Sequence, residues 1–243
     1  MVEPFFFGSN DELFAIYHPA SGAPRGHGVL IAPPLLNEAM RANYALRQIA
    51  LKLSASGFDV LRFDFAGTGN SALDISEISV QRWMADIENA AKELEDIAGS
   101  IAFSLVSVRF STFLCSQLGL NRRITRHAMW DPLMSGKEWL ASLRRSQDAA
   151  SKRLPHAQLD RDTEFMGHRA PPHFATELDE LTALPPVGDE QLRIYHEEST
   201  ANRSGRQTSD YDKRLPFECN WESLSSQVLY PHAVIDNICD FLV

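Results

Sequence analysis

The chain has 243 residues, 44% hydrophobic and 23% charged, which fits one large α/β domain and closes a core without disulfide staples. Its formal charge of −9 and pI near 5.4 exclude nucleic acid as the main partner, because phosphate binding needs a basic face. Cys115, Cys219 and Cys239 are odd in number and show no metal-ligand spacing, so reduced thiols, a cytoplasmic location and no metal or cofactor are expected. No basic leader precedes a long apolar run, and no stretch reaches the roughly 18 apolar residues of a membrane span.

Residues 4–7 and 13–17 flank Gly8-Ser9-Asn10-Asp11 and read as a β-hairpin. Residues 29–32 (Val-Leu-Ile-Ala) form a short run suited to a strand buried on both faces, stopped by Pro33-Pro34. Leu46, Ile49, Ala50 and Leu53 recur at helical spacing, with Gly57 placed to end that helix. The next strand, 58–64, runs into a glycine-rich turn at 66–71. A helix then places Trp83, Ile87, Ala90, Ala91 and Leu94 on one face. Residues 101–108 read as a strand, 110–118 as a helix up to Gly119, and 126–130 as a short strand. This alternation predicts a mostly parallel sheet with helices on both faces.

Residues 131–188 break the rhythm. They hold a helix at 136–153 and then a polar stretch with prolines and histidines, read as a cap over the sheet, with a disordered loop as the alternative. Residues 191–196 resemble a strand, and Pro231 starts a last helix with Val234, Ile235, Ile238, Phe241 and Leu242 as its apolar stripe. The expected organisation is a core formed by 1–130 and 189–243, with 131–188 inserted as the cap.

Ligands on open α/β sheets bind beyond the carboxyl ends of the strands. Three segments meet that condition: 33–38, 64–71 and 107–111. The second resembles the D-x-x-G-x-G-x-S turn of the α/β-hydrolase superfamily, and the strand and helix order resembles that fold as well. A closer resemblance is to hydrolase-like proteins associated with bacterial exosortase A systems and exopolysaccharide loci. It rests on Leu35-Leu36-Asn37-Glu38-Ala39-Met40-Arg41, on the block from Gly57 to Ser71, and on Trp130-Asp131-Pro132-Leu133-Met134-Ser135-Gly136. It covers roughly residues 25 to 145, and little matches between 150 and 215.

The resemblance implies a G-x-S-x-G elbow at 107–111, where the chain instead reads Ser107-Val108-Arg109-Phe110-Ser111. Arg109 thus falls where the nucleophilic serine is expected, and a guanidinium stays protonated and cannot attack a carbonyl. Many members of the exosortase-associated group carry arginine at this place, so the resemblance implies a group trait. Serine at both glycine positions lacks glycine's freedom at positive φ. The acid would follow the strand 191–196, at Glu197 or Glu198. The loop at 217–222, where the histidine belongs, holds none, and His232 lies within the last helix as a surface or capping residue. Without nucleophile and base, only binding and oxyanion stabilisation remain. The oxyanion donors would be the Phe110 N–H and one from the loop at Leu35.

Arg109 has two readings: a fork for a ligand carboxylate or phosphate, or an ion pair with Glu38, Asp64 or Glu198. Glu38 and Arg41 would contact ligand or tie their loop to the cap. Trp130 and Trp139 would pack the cap or line a pocket. The expected pocket is therefore Leu35, Glu38, Arg41, Arg109, Phe110 and Trp130. Ser107, Ser111 and Glu198 are the candidates for residual catalysis, with His156, His168 or His173 as base for a serine. His168 and His173 flank Pro171-Pro172 and read as loop. Cys115 reads as buried. The sequence thus suggests a hydrolase-like protein with weak or no activity. It would bind a small acyl or carboxylate-bearing molecule, or act as an accessory with a protein partner or a second copy. The alternative is an active ester, thioester or amide hydrolase with a rearranged nucleophile.

Overall fold

The computed structural model describes residues 2–100, 102–117, 123–153, 163–165, 167–181, 188–196, 212–215, 221 and 231–243. Glu197, Glu198, Cys219, His156 and most of the loop before the last helix lie outside them.

Strands β1 (Glu3–Phe7) and β2 (Leu13–His18) form the expected hairpin, closed by Gly8 at φ 90° and Asp11 at φ 53°. The eight-stranded sheet has the order β1-β2-β4-β3-β5-β6-β9-β10, with β3 (Gly28–Ala32), β4 (Asp59–Phe63), β5 (Ala102–Val108), β6 (Arg123–Trp130), β9 (Glu190–His196) and β10 (Asp212–Leu215). Only β1–β2 and β2–β4 are antiparallel; the remaining pairs are parallel.

Alternation along the buried strands splits the core in two. Leu30, Ala32, Leu61, Phe63 and Leu105 face helices α2 (Val80–Ala98) and α3 (Ser111–Ser116). Val29, Ile31, Val60, Val106 and Val108 face α1 (Asn37–Ala55) and α6 (His232–Leu242). Period-two strands with apolar residues on both faces require such cover.

Between β6 and β9 lie α4 (Gly136–Arg153), the small hairpin β7 (Glu164–Phe165) and β8 (His168–Arg169), and α5 (Phe174–Glu180). The polar stretch therefore carries more regular structure than its composition suggests. His168 sits in β8, and His173 precedes α5 directly, so neither lies in a plain loop. The short α5 owes its place to packing: Phe174 meets Trp83, Trp139 and Phe165 at 5.7, 6.1 and 5.8 Å between ring centres. Among the described residues no helix is long and apolar enough to cross a membrane.

Candidate functional site

The turn from β5 into α3 is built around Arg109. Its backbone N–H extends the sheet ladder to Trp130 O at 3.0 Å, and then φ swings to 58°. Its carbonyl accepts from Thr112 N and Leu133 N at 3.2 and 3.1 Å, so the chain folds back on itself within two residues. Positive φ at a non-glycine residue costs about 1–3 kcal/mol and persists only where the surroundings over-determine it.

The two serines at the expected glycine positions take none of that strain. Neither has positive φ, so glycine's freedom is not needed there and the whole burden falls on Arg109. Ser111 Oγ accepts from Val108 N at 2.9 Å and lies 3.0 Å from Ala32 O and 2.8 Å from Val108 O, where it donates. That hydroxyl is consumed in fixing the turn. Ser107 is paired with a histidine, but not with one from 131–188: its Oγ lies 2.7 Å from His127 Nε2 on β6 and 2.9 Å from Thr112 Oγ1. All three side chains are sealed from solvent.

The Arg109 guanidinium is enclosed. Nε donates to Glu38 Oε1 at 3.1 Å, Nη1 to Asp131 Oδ2 at 2.9 Å and Nη2 to Ser142 Oγ at 3.0 Å, and the Trp221 ring lies 5.5 Å from its central carbon. Only 5% of the residue is exposed. α1 supplies Glu38, the end of β6 supplies Asp131, and α4 supplies Ser142. Parallel pairing of Val108 with Trp130 sets residues 109 and 131 side by side. Of the ion-pair partners expected for Arg109, Glu38 is present. Asp64 is not; it faces the 66–71 turn instead. Asp131 was not anticipated, although strand register alone puts it there.

Electrostatics bind this cluster unevenly. Burial alone would lower Arg109, but the Glu38 and Asp131 charges and hydrogen bonds outweigh it and hold the guanidinium firmly protonated. Burial pushes Glu38 upward more than Arg109 draws it down, and the neighbouring Asp131 charge adds to the rise. Glu38 Oε2 and Trp139 Nε1 are both buried without a hydrogen-bond partner among the described residues, though the indole still favours the charged carboxylate. Trp139 stacks on Phe110 at 4.5 Å and 6°, clamping α4 onto the turn.

Leu35, Glu38, Arg41, Phe110 and Trp130 are buried with Arg109 in this packed region. Trp130 Nε1 donates to His196 Nε2 at 2.8 Å and its ring meets Trp221. None of these six residues borders the partly open cavity of about 350 Å³ that lies one strand further along. That cavity lies between the β2–β4 face, the start of α1, the 66–71 turn and His168. Its turn wall is self-stapled. Asp64 Oδ2 accepts from Asn70 N at 2.9 Å, and Ser71 Oγ donates to Asp64 O at 2.6 Å while accepting from Phe14 N at 2.9 Å. Gly69 is required there, since a Cβ would stand 2.1 Å from Asp64 Oδ2 at a φ of 55°.

The overall fold recurs in solved structures. The alpha/beta hydrolase GrgF from Penicillium sp. sh18 superposes with a TM-score of 0.63 at 14% identity, over 100% of this chain and 98% of that one. An alpha-beta serine hydrolase homologue from Coxiella burnetii gives 0.57 at 12% identity, over 99% and 95%. The enol-lactonase from Burkholderia xenovorans LB400 gives 0.57 at 15% identity, over 95% and 96%. The chain has the α/β-hydrolase fold. No family model matches the chain, and no curated protein matches its sequence. Likeness at these identities fixes the α/β-hydrolase architecture and says nothing of chemistry, which has to be argued from the residues at the elbow.

Proposed function

We propose that this chain is a non-hydrolysing protein of the α/β-hydrolase fold, a binding or accessory protein whose elbow is closed by its own side chains. The observation that carries this reading is the enclosure of Arg109: Glu38, Asp131 and Ser142 occupy its hydrogen-bonding fork, and a guanidinium at the crest of the turn cannot be deprotonated to attack a carbonyl. The resemblance to exosortase-associated proteins supplies the setting, handling of exopolysaccharide or acylated metabolites in the cytoplasm, with residues 131–188 as the cap. The test is steady-state hydrolysis of p-nitrophenyl butanoate and octanoate by the purified, folded chain. The rate should equal the buffer blank and stay there in Arg109→Ala. Turnover well above the blank would overturn the reading.

A second reading has one observation in its favour. Ser107 Oγ and His127 Nε2 stand at a proton-transfer distance of 2.7 Å, as an activated nucleophile and its base would. Both are fully buried and the hydroxyl is shared with Thr112, so a substrate would need the β5–α3 turn to open. On this reading Ser107→Ala abolishes whatever turnover is measured.

A further inference from the structure

The 350 Å³ cavity beside the 66–71 turn is separate from the elbow, and it has a part-buried cation, Arg62, in its wall. Arg82, Arg109, Arg126 and Arg193 each hold a carboxylate within ion-pairing distance. Arg62, which is only part-exposed, holds none among the described residues. Its Nε donates to His18 Nε2 at 3.2 Å and its Nη1 to Asn43 Oδ1 at 3.0 Å. Both acceptors are neutral: Asn43 is an amide, and burial first, then the Arg62 and Arg47 charges, push His18 down to about 4. Burial likewise draws Arg62 down to about 10; the more distant Asp64 opposes this and exposed Arg47 adds to it. A guanidinium largely removed from water with no carboxylate in direct contact is costly, and an anion in the cavity would offset that cost.

Asp64 follows Arg62 by two residues. Continued extension from β4 puts both on one face, about 6–7 Å apart along the chain. Asn70 engages the Asp64 carboxylate through its backbone N–H and its side chain, and that carboxylate still borders the cavity. The rest of the wall nearby is hydrocarbon, including Ile16, Leu46 and Phe63. The volume suits a ligand of about a dozen non-hydrogen atoms, at the small end of ligand pockets.

We propose that this cavity binds a small hydroxy- or amino-carboxylate, with its carboxylate on Arg62, its hydroxyl or ammonium donating to Asp64, and its hydrocarbon against Ile16, Leu46 and Phe63. Acceptance of a carboxylate alone would waste Asp64, which repels a second negative charge and so disfavours a phosphate dianion. The site does not depend on whether the elbow is inert.

Isothermal titration of the full chain tests this with 3-hydroxyoctanoate and 3-aminooctanoate, against octanoate, octane-1,3-diol and inorganic phosphate. One of the first two should bind saturably at one site per chain. Octanoate and the diol should each bind at least about tenfold more weakly, since each lacks one charge-assisted hydrogen bond, to Asp64 and to Arg62 respectively. Arg62→Gln should weaken binding by about tenfold or more. Asn43→Asp, at an exposed position, gives Arg62 an internal counter-ion and should weaken it similarly while the far-UV circular dichroism stays unchanged. Diol binding as tight as the acid, tighter binding of phosphate, no heat from any ligand, or indifference to Asn43→Asp would each overturn the assignment.

Discussion

Replacing Arg109 by methionine keeps the volume and the positive-φ strain but removes the charge and all three hydrogen bonds, to Glu38, Asp131 and Ser142. Two carboxylates are then left together in a region from which water is excluded. Removing one partner of a buried ion pair costs about 3–5 kcal/mol, against below about 1 kcal/mol for an exposed pair. In a domain of this size that corresponds to a fall in Tm of about 6–20 °C. Lys52→Ala is the internal control, because its pair with Asp236 leaves both side chains more than half exposed, at 52% and 54%. Adding Glu38→Gln to Arg109→Met removes one orphaned charge, so the double variant should be no less stable than Arg109→Met alone. The double-mutant cycle should then return a coupling of at least about 1 kcal/mol. Thermal and urea unfolding followed by circular dichroism near pH 7.5 measure all five proteins: the natural chain, Arg109→Met, Glu38→Gln, the double variant and Lys52→Ala. If Arg109→Met costs no more than Lys52→Ala, the arginine is not the keystone of the elbow and the reasoning fails.

Three further outcomes follow from the same geometry. Glu38 is raised above its ordinary value of 4.5, chiefly by burial, so the folded state holds that proton more tightly than the unfolded chain. Its contribution is complete below the ordinary value and is lost as pH climbs through the folded one. Glu38→Gln should therefore gain in stability relative to the natural chain as pH rises above 4.5, read from urea midpoints; a parallel profile would contradict the assignment. Gly69→Ala meets both the Asp64 carboxylate and an unfavourable φ and should cost about 1–3 kcal/mol by the same unfolding measurement, with a neutral effect counting against the stapled turn. Ser107→Ala leaves His127 without its serine partner and should cost about 1–3 kcal/mol without altering ester hydrolysis, whereas a change confined to hydrolysis would favour the second reading.

Much of the architecture was legible because its elements satisfy their own local rules. The 29–32 run is apolar on successive residues and the 101–108 run is broken only by two serines, as suits strands covered on both faces, and Trp83 through Leu94 repeats at helical spacing. The α5 helix and β10 were not legible, since seven and four mostly polar residues carry too little periodic signal. The α5 helix is fixed instead by Phe174 against two tryptophans distant in sequence.

The elbow was half readable. Arg109 and Glu38 stood out by residue type, but Asp131 and His127 depend on how β6 registers against β5. A serine and a histidine on neighbouring parallel strands, Ser107 and His127, could have been paired had that register been considered. The cavity around Arg62 was missed for a different reason. Nothing in a strand reading Asp-Val-Leu-Arg-Phe tells that its arginine will find neutral partners only; that follows from where His18 and Asn43 come to lie.

The central claim, that the elbow holds a structural cation and no reactive hydroxyl, is tested most directly by intact-mass spectrometry of the folded chain after prolonged exposure to a fluorophosphonate. The mass should remain that of the unmodified protein, with a serine esterase labelled to completion alongside. A stoichiometric adduct, mapped by peptide sequencing to Ser107 or any other serine of the β5–α3 turn, would contradict it.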